Sequence, residues 1–145
     1  MQFRGQIHAS CVARSGAGVL LLGPAGSGKS DLALRLLDHG FSLVADDRVD
    51  IEDGDARAPA ALAGLLEVRG LGIVRLPWQP ARLALAVSLG SGDRLPEPSR
   101  HAELGLPLVC IDPRSASAAA RVSLALDCAL GRVDQLAGAF TGGAP

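Results

Sequence analysis

The sequence predicts one α/β domain organised around a phosphate-binding loop. Three observations predict it. The apolar run AGVLLL leads directly into the glycine-rich segment GPAGSGKS, Gly23 to Ser30; apolar residues at helical spacing follow at once; and several further short apolar runs, bounded by glycine, proline or acidic residues, supply strands for a sheet. At 145 residues the chain has the length of one domain with a single sizeable core, so residues 1–145 are read as one unit.

The opening QFRGQIHASCVAR alternates enough for one or two short strands, with a hairpin broken at Gly5. Gly18 to Leu22 is a buried-strand run closed by Gly23 and Pro24. From Ser30 to His39, Leu32, Ala33, Leu36 and Leu37 recur at helical spacing, and Gly40 is placed to end that helix. Phe41 to Ala45 is a second core strand, closing on Asp46 and Asp47. Glu52 to Pro59, EDGDARAP, reads as a turn or loop. LLEVRG and GIVRLP follow, nearly contiguous, and then ARLALAVSL, with a period of two at Leu83, Leu85, Val87 and Leu89. GSGDRLPEPSR is a long surface loop whose length makes it a functional candidate. Leu106 to Ile111 is the last core strand. Asp112 and Pro113 supply an N-cap and first residue for a helix running to about Leu130, which Gly131 ends, and the tail TGGAP is expected to fray.

Composition excludes several classes of function. The net charge is -1 and the basic residues are spread from Arg4 to Arg132, so no surface for nucleic acid or anionic membrane is expected. No apolar run approaches the roughly 20 residues that cross a bilayer, and no signal-peptide core is present, which makes a cytoplasmic protein the expectation. Cys11, Cys110 and Cys128 are odd in number, far apart and set among apolar neighbours. They read as buried thiols in a reducing compartment instead of a disulfide frame or zinc site.

The chemistry concentrates in the loop. GPAGSGKS fits G-x-x-x-x-G-K-[ST] with a strand before it and a helix after. Gly23, Pro24, Ala25, Gly26, Ser27, Gly28, Lys29 and Ser30 are therefore the expected nucleotide-binding residues: backbone N–H groups curl round the β-phosphate, Lys29 contacts the β and γ oxygens, and the Ser30 hydroxyl ligates Mg²⁺. Lys29 is the only lysine among 14 basic residues, in a chain that otherwise uses arginine for every positive charge. A compact ammonium fits between phosphate oxygens where a planar guanidinium is too bulky. Asp46 and Asp47 emerge at the end of the strand after the first helix, beside the loop, one to serve the metal and one to take a proton. Neighbours on an extended strand point to opposite faces, so the pair is expected to split its roles. Glu67 and Arg69, two apart in an apolar stretch, suit a Mg²⁺ ligand and a phosphate-facing guanidinium, and suit an internal salt bridge equally.

His8, GPAGSGKS, HGFSLVADDRVDI and above all LLEVRGLGIV, in this order and at these spacings, resemble the catalytic domain of the HPr kinase/phosphorylase family, in the short form without an extra N-terminal domain. The resemblance runs from about His8 to Arg94, more weakly into the last helix. It implies a P-loop domain with a mixed β-sheet flanked by helices, and transfer of a phosphoryl group from ATP, with Mg²⁺, to a serine of the phosphocarrier HPr. It further implies Asp47 as the base, Lys29 at the γ-phosphate, Ser30 and Glu67 on Mg²⁺, His8 beside the reacting group, Arg94 on the transferring charge, and a homo-oligomer, a hexamer. For such contacts, ARLALAVSL and the last helix are candidates, though each is equally a candidate for the core. Long members also run a reverse reaction, phosphate attacking phosphoserine to give pyrophosphate, and carry a V-R-P-G-R-N type segment where this chain has CIDPRSAS. Weak or absent phosphorolysis is thus expected. The rival readings are a phosphoenolpyruvate-carboxykinase-like or small-molecule kinase, and a nucleotide-sensing regulatory module.

Overall fold

In a computed structural model, residues 3–141 are described as a mixed sheet with two helices packed on one face. The strands are β1 (Arg4–Ile7), β2 (Ser10–Arg14), β3 (Ala17–Leu22), β4 (Ser42–Ala45), β5 (Val49–Glu52), β6 (Asp55–Arg57), β7 (Leu65–Val68), β8 (Gly72–Arg75), β9 (Ala81–Leu89) and β10 (Leu108–Ile111). The helices are α1 (Lys29–Leu37) and α2 (Ala118–Ala129). The main sheet runs β1-β5-β6-β9-β3-β2-β4, and β10 joins β9. β9 is the hub. It pairs in parallel with β3 along one edge, while β6 and β10 take successive stretches of the other. The hairpin of β7 and β8 forms a separate small sheet.

Alternation along the strands produces two apolar layers. Val12, Val19, Leu21, Leu85 and Val87 face Leu32 and Leu36 of α1 and Val122 and Leu126 of α2. Cys11, Leu20, Val44 and Leu83 face the other way, onto Val49, Ile51 and Ala56 of the β5–β6 ribbon. Each large side chain so buried contributes about 1.5–3 kcal/mol. The period of two expected through β9 is interrupted: the register shifts opposite Gly18 and Val19, so Leu83 and Leu85 belong to different layers. Because β9 is paired on both edges and largely buried, it belongs to the core; α2, by contrast, exposes Leu124.

Several boundaries move from their expected places. Gly5 lies within β1, paired with Ile51, and the break falls at His8 and Ala9. Within Glu52 to Pro59 the expected turn is present but shorter: Asp53 and Gly54 turn tightly with positive φ and close a β5–β6 hairpin with Glu52 opposite Asp55, so that Asp55–Arg57 is strand instead of loop. Asp112 does not cap α2. Its carboxylate accepts from the Arg114 N–H at 2.9 Å, an Asx turn that delays the helix to Ala118, with Ser117 at the cap. Gly40 ends α1 as expected, through a Phe41 N–H to Leu36 carbonyl bond of 3.2 Å. Thr141 is described, and the last four residues of the expected tail lie outside the described residues. Among the described residues no helix is long and apolar enough to cross a membrane.

The thiols also divide. Cys11 is buried, and desolvation pushes its thiol up to about 12. Cys128 is half-buried, its thiol raised by desolvation and then by Asp127. Cys110 is exposed on β10, contrary to the expectation of three buried thiols, because the strand lies at the sheet margin and turns that side chain outward.

One side chain ties the sheet to α2. Arg14 donates to Ser123 Oγ at 2.6 Å and to Asp127 Oδ1, and its guanidinium lies 5.3 Å from the Phe41 ring centroid. Arg14→Ala is expected to lower stability by about 1–3 kcal/mol, since it removes two charge-assisted bonds and a cation–π contact at a partly buried site. Urea unfolding measures it; an unchanged midpoint shows that the contacts are matched by water in the folded state.

Candidate active site

The loop from Gly23 to Gly28 leaves β3 and enters α1, so backbone N–H groups and the helix N-terminus converge at the carboxyl edge of the sheet. Two glycines there are required by space and conformation. A Cβ on Gly23 would lie 2.5 Å from Ser27 Oγ, and Gly28 precedes the helix at φ 103°. The Ser27 hydroxyl is buried with no hydrogen-bond partner among the described residues. Lys29, only 7% exposed, donates from Nζ to the Gly23 carbonyl at 2.7 Å and the Pro24 carbonyl at 3.0 Å. Its ammonium is thus held inside the loop.

The aspartate doublet splits, for a reason the strand pattern did not contain. β4 ends at Ala45, and the Arg48 N–H bonds back to the Asp46 carbonyl at 2.8 Å across Asp47, whose φ is 71°. This is a three-residue γ-turn with positive φ, a strained form. It leaves Asp46 inside, 8% exposed, and throws Asp47 outward. The turn is pinned by the Ala9 N–H, which donates to the Asp47 carbonyl at 3.2 Å. Asp46 accepts from Ser10 Oγ at 2.6 Å and from Ser30 Oγ at 2.9 Å on Oδ1 and 3.1 Å on Oδ2. Asp47 Oδ1 lies 2.9 Å from His8 Nε2, both side chains being partly exposed.

These groups share one cavity of about 560 Å³. It is lined by His8, Ser10, Lys29, Ser30, Asp46, Asp47, Glu67 and Arg69, together with Ala25, Gly26 and Gly28 of the loop. The β7–β8 hairpin supplies Glu67 and Arg69 through β7 and the turn after it. Neither takes part in an ion pair among the described residues, so the internal salt bridge is not formed. Arg94 stands apart: it is exposed on the connection between β9 and β10 and lines neither this cavity nor the one behind the loop. That second cavity, about 740 Å³, is lined by Asp112, Pro113 and Arg114 with Arg35 and Ser91. There the Arg114 side chain, and after it the Arg114 backbone N–H, hold the Asp112 carboxyl below its ordinary range.

The donor set fits a nucleotide with a divalent cation. The glycine cradle suits phosphate oxygens, and Ser30, Asp46 and Glu67 offer oxygen ligands. Among the described residues no group of three His, Cys, Asp or Glu is arranged around a single ion. A cation that keeps waters and takes phosphate oxygens, as Mg²⁺ does, needs no such cage. Sequence reading left open which aspartate serves the metal, and it missed Ser10. Its role depends on β2 pairing with β4, which no local sequence signal announces.

The family model described as HPr Serine kinase C-terminal domain matches residues 1–77. The chain is 46% identical over 76 residues to the HPr kinase/phosphorylase of Lactobacillus delbrueckii subsp. bulgaricus, across 49% of this chain and 24% of that protein. It is 48% identical over 73 residues to the HPr kinase/phosphorylase of Clostridium beijerinckii, across 48% of this chain and 24% of that protein. The chain thus spans about a quarter of the length of the curated relatives it matches. The solved HPr(Ser) kinase/phosphatase of Coxiella burnetii shares the fold, with a TM-score of 0.71 at 24% identity, over 88% of this chain and 92% of that one.

Proposed function

Because the chain belongs to the HPr serine kinase C-terminal domain family, we propose that it transfers the γ-phosphoryl group of ATP to a seryl hydroxyl of an HPr-type phosphocarrier protein. The observation that carries this reading is the shared cavity: the phosphate loop, an ionisable dyad of His8 and Asp47, and Glu67 and Arg69 all open onto one space. Such a site is open at the surface, which suits an acceptor presented by another protein.

In this reading Asp47 takes the proton of the serine hydroxyl as its oxygen bonds to the γ-phosphorus, while the β–γ bridging bond breaks and ADP leaves. His8, hydrogen-bonded to Asp47, holds that carboxylate toward the incoming hydroxyl. Lys29 turns from its loop carbonyls to the β and γ oxygens. Ser30, Asp46 and Glu67 would hold Mg²⁺, which when bound would neutralise phosphate charge. Phosphoryl transfer asks mainly for such positioning and charge neutralisation. Arg69, which lines the cavity, is better placed here than Arg94 to meet the transferring group. Assembly into a hexamer is part of the same reading, with Leu124 of α2 exposed for such a contact.

The test is incubation of the chain with γ-labelled ATP, Mg²⁺ and purified HPr. Label appears on serine; a nucleotide sensor transfers none, and a small-molecule kinase leaves HPr unlabelled. The reverse reaction is expected to be absent or weak. Arg114 is bound at Nε to its neighbour Asp112 at 3.2 Å, so the guanidinium of CIDPRSAS is already paired. Phosphoserine-HPr with inorganic phosphate should release no measurable pyrophosphate. Release at a rate near that of the forward reaction contradicts this.

A further inference from the structure

We propose that Ser10 is a positioning residue for the divalent cation, its hydroxyl fixing the Asp46 carboxylate so that one oxygen is tied to two serines and the other is left for the ion. This rests on the reading of the cavity as a nucleotide and Mg²⁺ site.

Ser10 opens β2 and is fully buried, in a strand whose next three residues are also buried. A hydroxyl in a sheet interior is costly unless it is hydrogen-bonded. Here its side-chain bond goes to Asp46 Oδ1, at 2.6 Å. The pairing of β2 with β4 puts Cys11 opposite Ala45, which sets Ser10 beside Asp46. Oδ1 thereby receives both the Ser10 hydroxyl and the shorter bond from Ser30, at 2.9 Å, while Oδ2 has only the longer Ser30 contact of 3.1 Å.

The consequence follows from counting protons. A serine hydroxyl has one hydrogen and two lone pairs. Ser30 spends its hydrogen on Asp46, which leaves its lone pairs for a cation. The terminal torsion of an aspartate is broad and two-fold, so a carboxylate held by Ser30 alone can turn. Ser10 removes that freedom from behind. Groups that orient a metal's ligands in this way typically contribute about 10- to 100-fold in affinity or activity.

The test uses Mn²⁺ as the spectroscopic probe and measures its binding with ADP by electron paramagnetic resonance. Ser10→Thr and Ser10→Val have the same shape and differ only in the hydroxyl. Ser10→Thr is expected to stay within about threefold of wild type, and Ser10→Val to bind Mn²⁺ with ADP roughly tenfold more weakly or worse. Ser10→Ala, which adds no bulk, should show the same loss. Metal-free ADP affinity should be unchanged in all three. In an Asp46→Asn background the difference between the Ser10→Thr and Ser10→Val variants should vanish. In turnover with HPr, Ser10→Val should raise the Mg²⁺ concentration giving half-maximal rate and keep the rate at saturating Mg²⁺ within about twofold. Equal Mn²⁺ binding by the two variants overturns the proposal, as does a difference that persists undiminished in the Asp46→Asn background. A wild-type chain that binds Mn²⁺ with ADP but never labels HPr removes the kinase reading and leaves Ser10 to be judged by the comparison of Ser10→Thr with Ser10→Val. Failure of wild type to bind Mn²⁺ with ADP overturns both.

Discussion

Asp47→Asn is expected to lower serine phosphorylation by about 10²- to 10⁴-fold, the contribution of a positioned general base, with ADP affinity unchanged. The substitution isolates chemistry from fold. Asparagine is nearly isosteric with aspartate and is among the few residues that accept positive φ, so the γ-turn at 71° persists. The Ala9 N–H still meets the carbonyl of residue 47, because that bond is made by the backbone. The amide can also still bond His8. What is lost is the basic oxygen. Asp47 makes no hydrogen bond to the phosphate loop among the described residues, so calorimetric ADP binding should match wild type. His8→Ala should fall less than Asp47→Asn, because the imidazole orients the base and takes no proton from serine. Full HPr phosphorylation by Asp47→Asn removes Asp47 from the mechanism. A parallel loss of ADP affinity instead assigns it to nucleotide binding.

Much of the site was legible because its signals are local. GPAGSGKS between a strand and a helix fixes where phosphate oxygens would lie, and the solitary Lys29 marks the cation within it. VADD at a strand end puts carboxylates beside the loop. That Asp46 and Asp47 turn opposite ways was anticipated, but from strand alternation; the cause is a γ-turn held by Ala9, distant in sequence and adjacent in space. Ser10 was illegible for the same reason, since its value comes from β2 lying beside β4. The fold's errors share a pattern too. The acidic EDGDARAP, with one glycine and a closing proline, has the composition of a loop, yet it pairs because β5 and β6 gain an apolar floor of Leu83 and Cys11. Asp112 and Pro113 have the composition of a helix start, yet Arg114 competes for the capping carboxylate and displaces the helix. Distant partners decided the first, and no window of sequence contains them; the second is a local competition, two residues wide, between Asp112 as a cap and Asp112 as the partner of Arg114.

Lys29→Met should abolish transfer to within background, a loss of roughly 10³-fold or more, as for removal of a preorganised charge aimed at a transferring phosphoryl group. The sharper variant is Lys29→Arg. A surface cation would tolerate it, but Lys29 is 7% exposed and its ammonium sits between the Gly23 and Pro24 carbonyls, at 2.7 and 3.0 Å. A planar guanidinium cannot occupy that space without spreading the loop, and its fixed fork cannot rotate from carbonyl oxygens to phosphate oxygens as an ammonium can. Lys29→Arg is therefore expected to fold, because the disturbance falls on the phosphate loop and leaves the apolar layers intact, yet to transfer at least about 10²-fold more slowly. Single-turnover labelling of HPr, with urea unfolding as the control for folding, measures both. Retention of activity by Lys29→Arg within about tenfold of wild type shows that charge alone suffices at this position. Retention by Lys29→Met goes further: transfer would then proceed without the ammonium, and the opening of Lys29 and Asp47 onto one cavity would have no catalytic meaning.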